Sequence, residues 1–354
     1  GGFPEDFLMI DDARYEIRGV TGDDRADLLE LARFLDSVNL PNDAAAMEPI
    51  IRRSERGFSG TEGDPRRREH VFVLYDRQEK RAVGTSLIVG QLGRRDAPYI
   101  FFDVSKEERY SQTLDRYFVH DVLSIGYSYN GPTEIGGLVM HPEYRRSPEK
   151  LGMLISYVRF LFIAMHRQDF QSHVLAELLP PLEADGTSHL WEAVGRHFTG
   201  MSYREADRLS RRNKEFIRGL FPHGEIYASL LPERAREVIG EVGRETKGVA
   251  KLLQRIGFRY WDRVDPFDGG PHFVAPTDQI TLIQQTKRAT LAPGDPRPAA
   301  KRFILGRDID GPPWFRACAG RCELLEDGSM RVDSAARAAL DARDGAQISA
   351  LPLP

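Results

Sequence analysis

The sequence predicts an α/β (α+β) protein, with strands and helices interspersed along the chain. Three observations carry this reading. Residues 71–75 and 82–89 are rich in β-branched and aromatic side chains and are joined by a charged turn, the pattern of a hairpin. A long apolar stretch from about Lys150 to His166 keeps helical spacing through Leu151, Leu154, Ile155, Val158, Leu161 and Phe162. Between about 190 and 256, short helical patterns follow one another, with strand-like segments on either side.

In chain order, the first segment reads as a strand and then a helix. Tyr15-Glu16-Ile17-Arg18-Gly19-Val20 alternates, and Thr21-Gly22-Asp23-Asp24 supplies turn and N-cap chemistry. Leu28, Leu31, Ala32 and Leu35 then recur at helical spacing. A second helix is expected over 47–56, followed by a polar loop over 57–70. The Arg66-Arg67-Arg68 cluster of that loop reads as a solvated face, not a nucleic-acid patch. After the hairpin, residues 98–130 mix strand and helix signals and yield no defined element. Residues 134–140 form a strand, in which Gly136-Gly137 marks a bulge or a close backbone approach. A proline-containing loop leads into the long helix. Residues 173–178 are the next strand, stopped by Pro180-Pro181. Helices are expected at 190–197, 203–210, 213–220, 232–242 and 249–256, the last ended by Gly257. A strand begins at 258–261, and strand patterning returns at 302–305 and 315–325 after a stretch rich in Pro and Gly.

Composition narrows the function. The chain has 354 residues, 41% hydrophobic and 29% charged, as in ordinary soluble globular proteins. A net charge of −4 from 49 basic and 53 acidic residues gives no global field for nucleic acid. No run approaches the roughly 18 apolar residues of a membrane helix. Gly1-Gly2-Phe3-Pro4-Glu5-Asp6 lacks the basic start of a signal peptide, so a cytoplasmic location is expected. Cys318 and Cys322 share one face of a strand and read as small core residues in a reducing compartment, not as a disulfide framework or a metal site. None of the nine histidines shows metal-ligand spacing, so no metal is expected. His197, on a helix after Arg196, reads as a satisfied core residue. No serine nucleophile elbow is present, which disfavours a covalent acyl-enzyme.

The most informative stretch is Leu138-Val139-Met140-His141-Pro142-Glu143-Tyr144-Arg145-Arg146, then Ser147 to Gly152, then the long helix. Backbone N–H groups opening a helix form an anion cradle, because unpaired donors and the helix dipole face the ligand. Arg145 and Arg146 at the loop entry suit a pyrophosphate, whose oxygens match guanidinium forks. Spacing alone fits an ordinary surface turn equally well.

These residues resemble the acyl-CoA-binding core of the Gcn5-related N-acetyltransferase superfamily. Across about Tyr15 to Leu291 the chain is similar to bacterial arginine N-succinyltransferases. The resemblance rests on Asn39-Leu40-Pro41, the Pro142-Glu143-Tyr144-Arg145 loop, Arg159-Phe160-Leu161-Phe162-Ile163-Ala164, and Ala176-Glu177. It continues through residues 190–198, Glu205-Ala206-Asp207, Ile226-Tyr227, Ile239-Gly240-Glu241-Val242 and Gly257-Phe258-Arg259-Tyr260. The most specific block is Asp265-Pro266-Phe267-Asp268-Gly269-Gly270-Pro271.

The resemblance implies a mixed, mainly antiparallel sheet flanked by helices. It also implies an acyltransferase domain over 1–291 that includes a helical elaboration at about 190–256, and a small C-terminal β lobe over 292–354. The implied reaction is succinyl transfer from succinyl-CoA to the α-amine of arginine in a ternary complex. Succinyl-CoA would be a cosubstrate, with no permanently bound cofactor. The implied donor contacts are Leu138, Val139, Met140, Arg145, Arg146, Ser147, Lys150 and Gly152. Glu177, Glu205 and Asp207 are the implied acceptor contacts. Glu177 and His223 are the candidates for proton transfer. The partners expected are a small-molecule amine and acyl-CoA, with a homodimer or pairing with a related subunit.

The chain departs from the family pattern at four places. Gly243 stands where the family carries a proposed proton-donor histidine, and Leu179 where it carries an arginine. Asn130-Gly131 replaces a Thr-Gly pair, with Tyr127 and Tyr129 nearby, and Lys150 replaces a glycine. A different acyl group or amine, or a catalytically silent partner subunit, are the alternatives these departures raise. Asp265 and Asp268 are further carboxylates, Asp268 reading as an Asx turn.

Overall fold

The computed structural model describes residues 14–34, 40–94, 97–210 and 213–354. Leu35, Asn39 and Gly1 to Asp6, used in the sequence reading, lie outside them. The chain forms two compact units. The first comprises residues up to Ile88, Gly137–Asp169 and Leu282–Pro354; the second comprises Val89–Gly136 and Phe170–Thr281.

The strands in chain order are β1 (Tyr15–Gly19), β2 (Glu69–Asp76), β3 (Arg81–Val89), β4 (Tyr99–Ser111) and β5 (Arg116–Ser128). Next come β6 (Thr133–Met140), β7 (His173–Glu177), β8 (Ile226–Tyr227), β9 (Arg259–Val264) and β10 (Pro271–Pro276). The last are β11 (Lys287–Thr290), β12 (Arg302–Asp308), β13 (Phe315–Leu324), β14 (Met330–Val332) and β15 (Gln347–Pro352).

In the first unit the strand order is β11-β15-β12-β13-β1-β2-β3, followed by the end of β6. Helices α1 (Arg25–Ala32), α2 (Ala44–Ser59) and α3 (Leu151–Met165) pack with it. Helix α3 buries residues on nearly every face, as a helix that is apolar all round must. Phe162 of α3 meets Phe58, Phe72 and Phe315 edge to face at 5.2–5.4 Å. Residues 292–354 supply β12–β15, and β13 pairs with β1 at Ile17↔Ala317. Cys318 and Cys322 are both buried there among Met330, Val332 and Leu340, as small core residues.

In the second unit the order is the start of β6, then β7-β10-β9-β4-β5-β8. Its ladders are antiparallel except β6–β7, which is parallel. A second core gathers Phe102, Leu123, Leu190, Trp191, Phe221 and Phe267 under the helical region. Trp191 stacks on Phe267 at 5.1 Å, and its indole N–H donates to the Met201 carbonyl at 3.0 Å.

Several elements differ from the sequence reading. Residues 98–130 form a thirteen-rung hairpin, β4–β5, running from Tyr99↔Ser128 to Ser111↔Arg116. Its outer half is exposed on both faces, so the alternation of buried and polar residues that marks a strand is missing. The turn carries Asp115 in a left-handed conformation (φ 46°) without glycine or proline to announce it. Helix α2 starts three residues earlier than expected, capped by Asp43 accepting from the Ala45 N–H at 2.9 Å. The helix expected over 190–197 is a π-helical turn (Trp191–Gly195) continuing into α4 (Arg196–Thr199). His197 is exposed there, not in the core. Beyond it lie α5 (Tyr203–Ser210), α6 (Glu215–Leu220), α7 (Glu233–Val238) and α8 (Lys247–Arg255). Among the described residues no helix is long and apolar enough to cross a membrane.

Candidate active site

The expected donor segment lies in the first unit. Parallel pairing of β6 with β7 covers only Thr133↔Val174, Glu134↔Leu175 and Ile135↔Ala176, and β6 continues beyond it to Met140. Gly137 sits at φ 57°, and a Cβ there would come within 2.7 Å of the Leu87 side chain, so the neighbour is a side chain and not the backbone expected from the sequence. Val139 and Met140 are buried and Leu138 is half-buried. After a short turn at Pro142–Tyr144, the Tyr144 hydroxyl donates to Asp76 at 3.0 Å. The buried Asp76 carboxylate also takes a 2.7 Å ion pair from Arg14, so the loop is tied to the sheet. Arg145 folds back, its Nε donating to the Met140 carbonyl at 3.2 Å, while Arg146 is exposed. The Ser147 hydroxyl donates to Glu149.

Lys150 caps α3 in the left-handed conformation, φ 54° and ψ 46°. That is the geometry glycine adopts at least cost, which explains why the family resemblance expects a glycine there. Leu151 and Gly152 follow as the first residues of α3, whose opening N–H groups have no intrahelical acceptor. The eight expected donor residues therefore all fall within 138–152 of this unit, on one strand end, one loop and one helix start.

The acidic residues belong to the second unit. The block 265–271 is a turn between β9 and β10. Asp265 accepts from the Phe267 N–H at 2.6 Å, and Asp268 from the Gly270 N–H at 2.8 Å, the Asx turn the sequence implied. This turn sets Asp265 beside the end of β7. Across the β7–β10 ladder His272 is the rung partner of Glu177. Glu177, Asp265 and His272 each bring one polar atom into a group whose members all lie within 4.8 Å of one another.

His272 is completely buried. Its Nδ1 is 2.6 Å from the Tyr99 hydroxyl, and its Nε2 is 3.6 Å from Glu177 Oε1 with no hydrogen-bond partner. The Glu177 side chain is 33% exposed, so solvent or a substrate reaches it from one side.

Electrostatics match this packing. Desolvation pushes the Glu177 carboxyl above its ordinary range, against the pull of Lys214. Desolvation and the Glu177 charge push Asp265 up to about 6. Asp268 is raised further by burial and by Asp265. Burial lowers His272 to about 4, so the imidazole is neutral at pH 7. A divalent cation could span the three groups by distance. It would need the Nε2 lone pair, however, and Nε2 carries the proton whenever Nδ1 accepts from Tyr99.

The other expected residues are not in this group. Glu205 closes a capping interaction, accepting from the Ser202 N–H and hydroxyl at 2.7 and 2.8 Å at the start of α5. Asp207 is half-buried and acts electrostatically on Asp268. His223 is exposed in the turn between α6 and β8. The sequence reading missed His272 because its partners arrive from separate strands. The one local signal is its place directly after the 265–271 block.

Two of the positions expected to depart from the family pattern, Gly243 and Leu179, meet just after β7. The Gly243 N–H donates to the Leu179 carbonyl at 2.8 Å, and a Cβ on Gly243 would lie 2.8 Å from the Pro180 carbonyl oxygen. Leu179 itself is 40% exposed. Tyr129 accepts from Arg218 at 2.8 Å, and the buried Tyr127 hydroxyl has no hydrogen-bond partner.

A family profile described as arginine N-succinyltransferase beta subunit matches residues 15–282, through both the donor loop and the acidic turn. The chain belongs to the arginine N-succinyltransferase family. It is 32% identical over 340 residues to arginine N-succinyltransferase subunit beta of Pseudomonas aeruginosa, covering 95% of this chain and 98% of that one. It is 34% identical over 279 residues to arginine N-succinyltransferase of Yersinia pestis, covering 78% and 79%. Arginine/ornithine succinyltransferase subunit AI from Pseudomonas aeruginosa has the same fold, with TM-score 0.81 at 26% identity over 96% of this chain and 98% of that one. The family's mixed, mainly antiparallel sheet flanked by helices, and its acyltransferase class, are thus those expected from the motifs.

Proposed function

We propose that the chain transfers succinyl from succinyl-CoA to the α-amine of arginine by direct attack in a ternary complex. The observation that carries this is the family match, which runs continuously through the donor loop and the acidic turn. The geometry supports each half. Val139 and Met140 would bind the donor through their backbone, with a strand N–H stabilising the thioester oxyanion. The opening N–H groups of α3, with Arg146, Ser147, Lys150 and Gly152, would take the pyrophosphate. Glu177 would accept the proton that leaves the attacking ammonium, and Asp207 would help hold the guanidinium. A thiol pKa of about 8.5 makes CoA a good leaving group near neutral pH, so no dedicated acid is required at Gly243.

The relatives' subunit names support an assembly of this chain with a second copy or a related subunit. Tyr110, Leu114, Tyr117, Phe118 and Val119 are all about half exposed or more at the end of the β4–β5 hairpin and would supply its apolar contact. A cytoplasmic location fits two buried free cysteines.

The test is CoA-thiol release over a matrix of acyl-CoAs against arginine, ornithine, lysine and polyamines, with each acyl-CoA also titrated for binding. Release requiring succinyl-CoA with arginine or ornithine supports the proposal. Binding without release across the matrix overturns it in favour of a silent subunit.

A further inference from the structure

We propose that His272 is the positioning residue of the reaction. Held by Tyr99, it presents Nε2–H to Glu177 and keeps that carboxylate ionised and aimed as the proton acceptor. This inference rests on the reading of Glu177 as the base.

Hydrogen-bond accounting fixes the tautomer. Arg263, whose guanidinium carbon lies 6.0 Å from the Tyr99 ring centroid, can only donate and so offers the phenol proton no acceptor. Burial and the Glu177 charge hold Tyr99 well above the usual tyrosine range, so the phenol keeps its proton. That proton has one acceptor at hand, His272 Nδ1 at 2.6 Å. The imidazole proton then sits on Nε2. A buried N–H without a partner is costly, and the nearest acceptor is Glu177 Oε1 at 3.6 Å. Catalytic hydrogen bonds are often long before substrate binds and tighten in the complex.

The surroundings suit proton sharing. Glu177 and His272 face Tyr99 on β4, Arg263 on β9, Asp265 and Asp268 in the following turn, and Lys214 before α6. Glu134 on β6 faces Tyr99, and Asp207 on α5 faces Asp268. With three carboxylates converging, desolvation raises the Glu177 carboxyl and so works against its ionised form. A neutral N–H donor at its oxygen works in the other direction, favouring the ionised form without adding a charge.

In the step itself, the acceptor ammonium gives one proton to Glu177 and the neutral amine attacks the thioester carbon. The C–N bond forms and the C–S bond breaks. The thiolate leaves and takes up the second nitrogen proton, and Glu177 returns its own to solvent through its exposed side.

The experiment compares full-length wild type with His272→Leu, His272→Gln and Tyr99→Phe. The readouts are thermal melting, kcat/KM against pH, KM for succinyl-CoA, and the Glu177 carboxyl titration followed by side-chain 13C NMR. His272→Leu is expected to move the acid limb of kcat/KM up by about one pH unit, a roughly tenfold loss on the acid side. KM for succinyl-CoA should hold. His272→Gln, which keeps an N–H, should return the limb most of the way, and Tyr99→Phe should shift it in the same direction as leucine but less. The Glu177 titration should move in parallel. An unchanged limb and titration in a folded His272→Leu protein would make His272 a packing residue only. Loss of activity on chelation, restored by zinc, would overturn the proposal in favour of a metal centre. If wild type releases no thiol with any pair, the succinyl-transfer reading fails, and the NMR titration still decides whether His272 sets the Glu177 ionisation.

Discussion

Gly243 donates its backbone N–H to the carbonyl of Leu179 at 2.8 Å, so two positions expected to depart from the family pattern touch each other. The segment carrying Gly243 lies against the backbone that follows Glu177, in space a longer side chain would require.

Restoring a histidine at 243 is therefore expected to harm the protein. Its Cβ would meet the Pro180 and Leu179 carbonyl oxygens at 2.8 and 2.9 Å, both backbone atoms that cannot swing aside. Gly243→His should cost roughly 1–3 kcal/mol in chemical denaturation, as overpacking does, with no gain in kcat/KM. Gly243→Ala should show most of the same loss. A tenfold rise in activity for the histidine variant would instead identify the glycine as a catalytic deficit.

Lys150 offers the reverse experiment. Its left-handed backbone costs a side chain about 1–2 kcal/mol, part of which glycine recovers. Lys150→Gly should stabilise the protein by roughly 0.5–1 kcal/mol. It should also weaken succinyl-CoA binding a few-fold at low salt, with the difference shrinking at high salt as screening removes the lost ammonium's contribution. Calorimetric titration at two ionic strengths measures both arms.

Asp265 gives a pH signature opposite in sign to an ordinary ion-paired carboxylate. Its folded pKa of about 6 lies above the ordinary value of 3.8, so the folded state binds its proton more tightly. Stability from this group is present below the unfolded pKa and falls as pH rises between those two values. Asp265→Asn should match wild type in stability at the acid end of that window and exceed it above pH 6. Denaturant melts across the range test the crossover, and an Asn variant less stable at pH 8 would refute it.

The hairpin end makes an assembly prediction. Leu114 is 65% exposed and Phe118 52%, without a covering element among the described residues. Leu114→Ser with Phe118→Ser should reduce the mass seen by light scattering from that of an assembly to that of one chain. Melting of the second unit's core should be unaffected, because neither side chain belongs to it. An unchanged mass would place the interface elsewhere.

Much of this was legible in the sequence, for identifiable reasons. Helix α3 and the β2–β3 hairpin announce themselves through strong, local periodicity. The strand, loop and helix start between Leu138 and Gly152 were readable because they follow one another directly in sequence. The β4–β5 hairpin was not readable, since its outer half has no buried face to impose alternation. His272 was not readable either. Its meaning depends on Tyr99 and Glu177, which reach it from β4 and β7, and no spacing along the chain encodes that meeting. Glu177 was singled out by resemblance, Glu205 turned out to be occupied with capping, and Asp265 became informative only once its turn was placed at the end of β7.

The antiparallel rung that pairs His272 with Glu177 also dates the site within folding. Each of its groups lies on a different strand or turn, so none is in place until loops spanning most of the second unit have closed. The strand, loop and helix of the expected donor segment adjoin in sequence, but α3 packs its Phe162 on Phe315 and so is not seated until the C-terminal strands are made. A chain emerging from synthesis would therefore hold every residue of the acidic group before the strand that seats α3, so the proposed proton-transfer site would not have to wait for the proposed donor site.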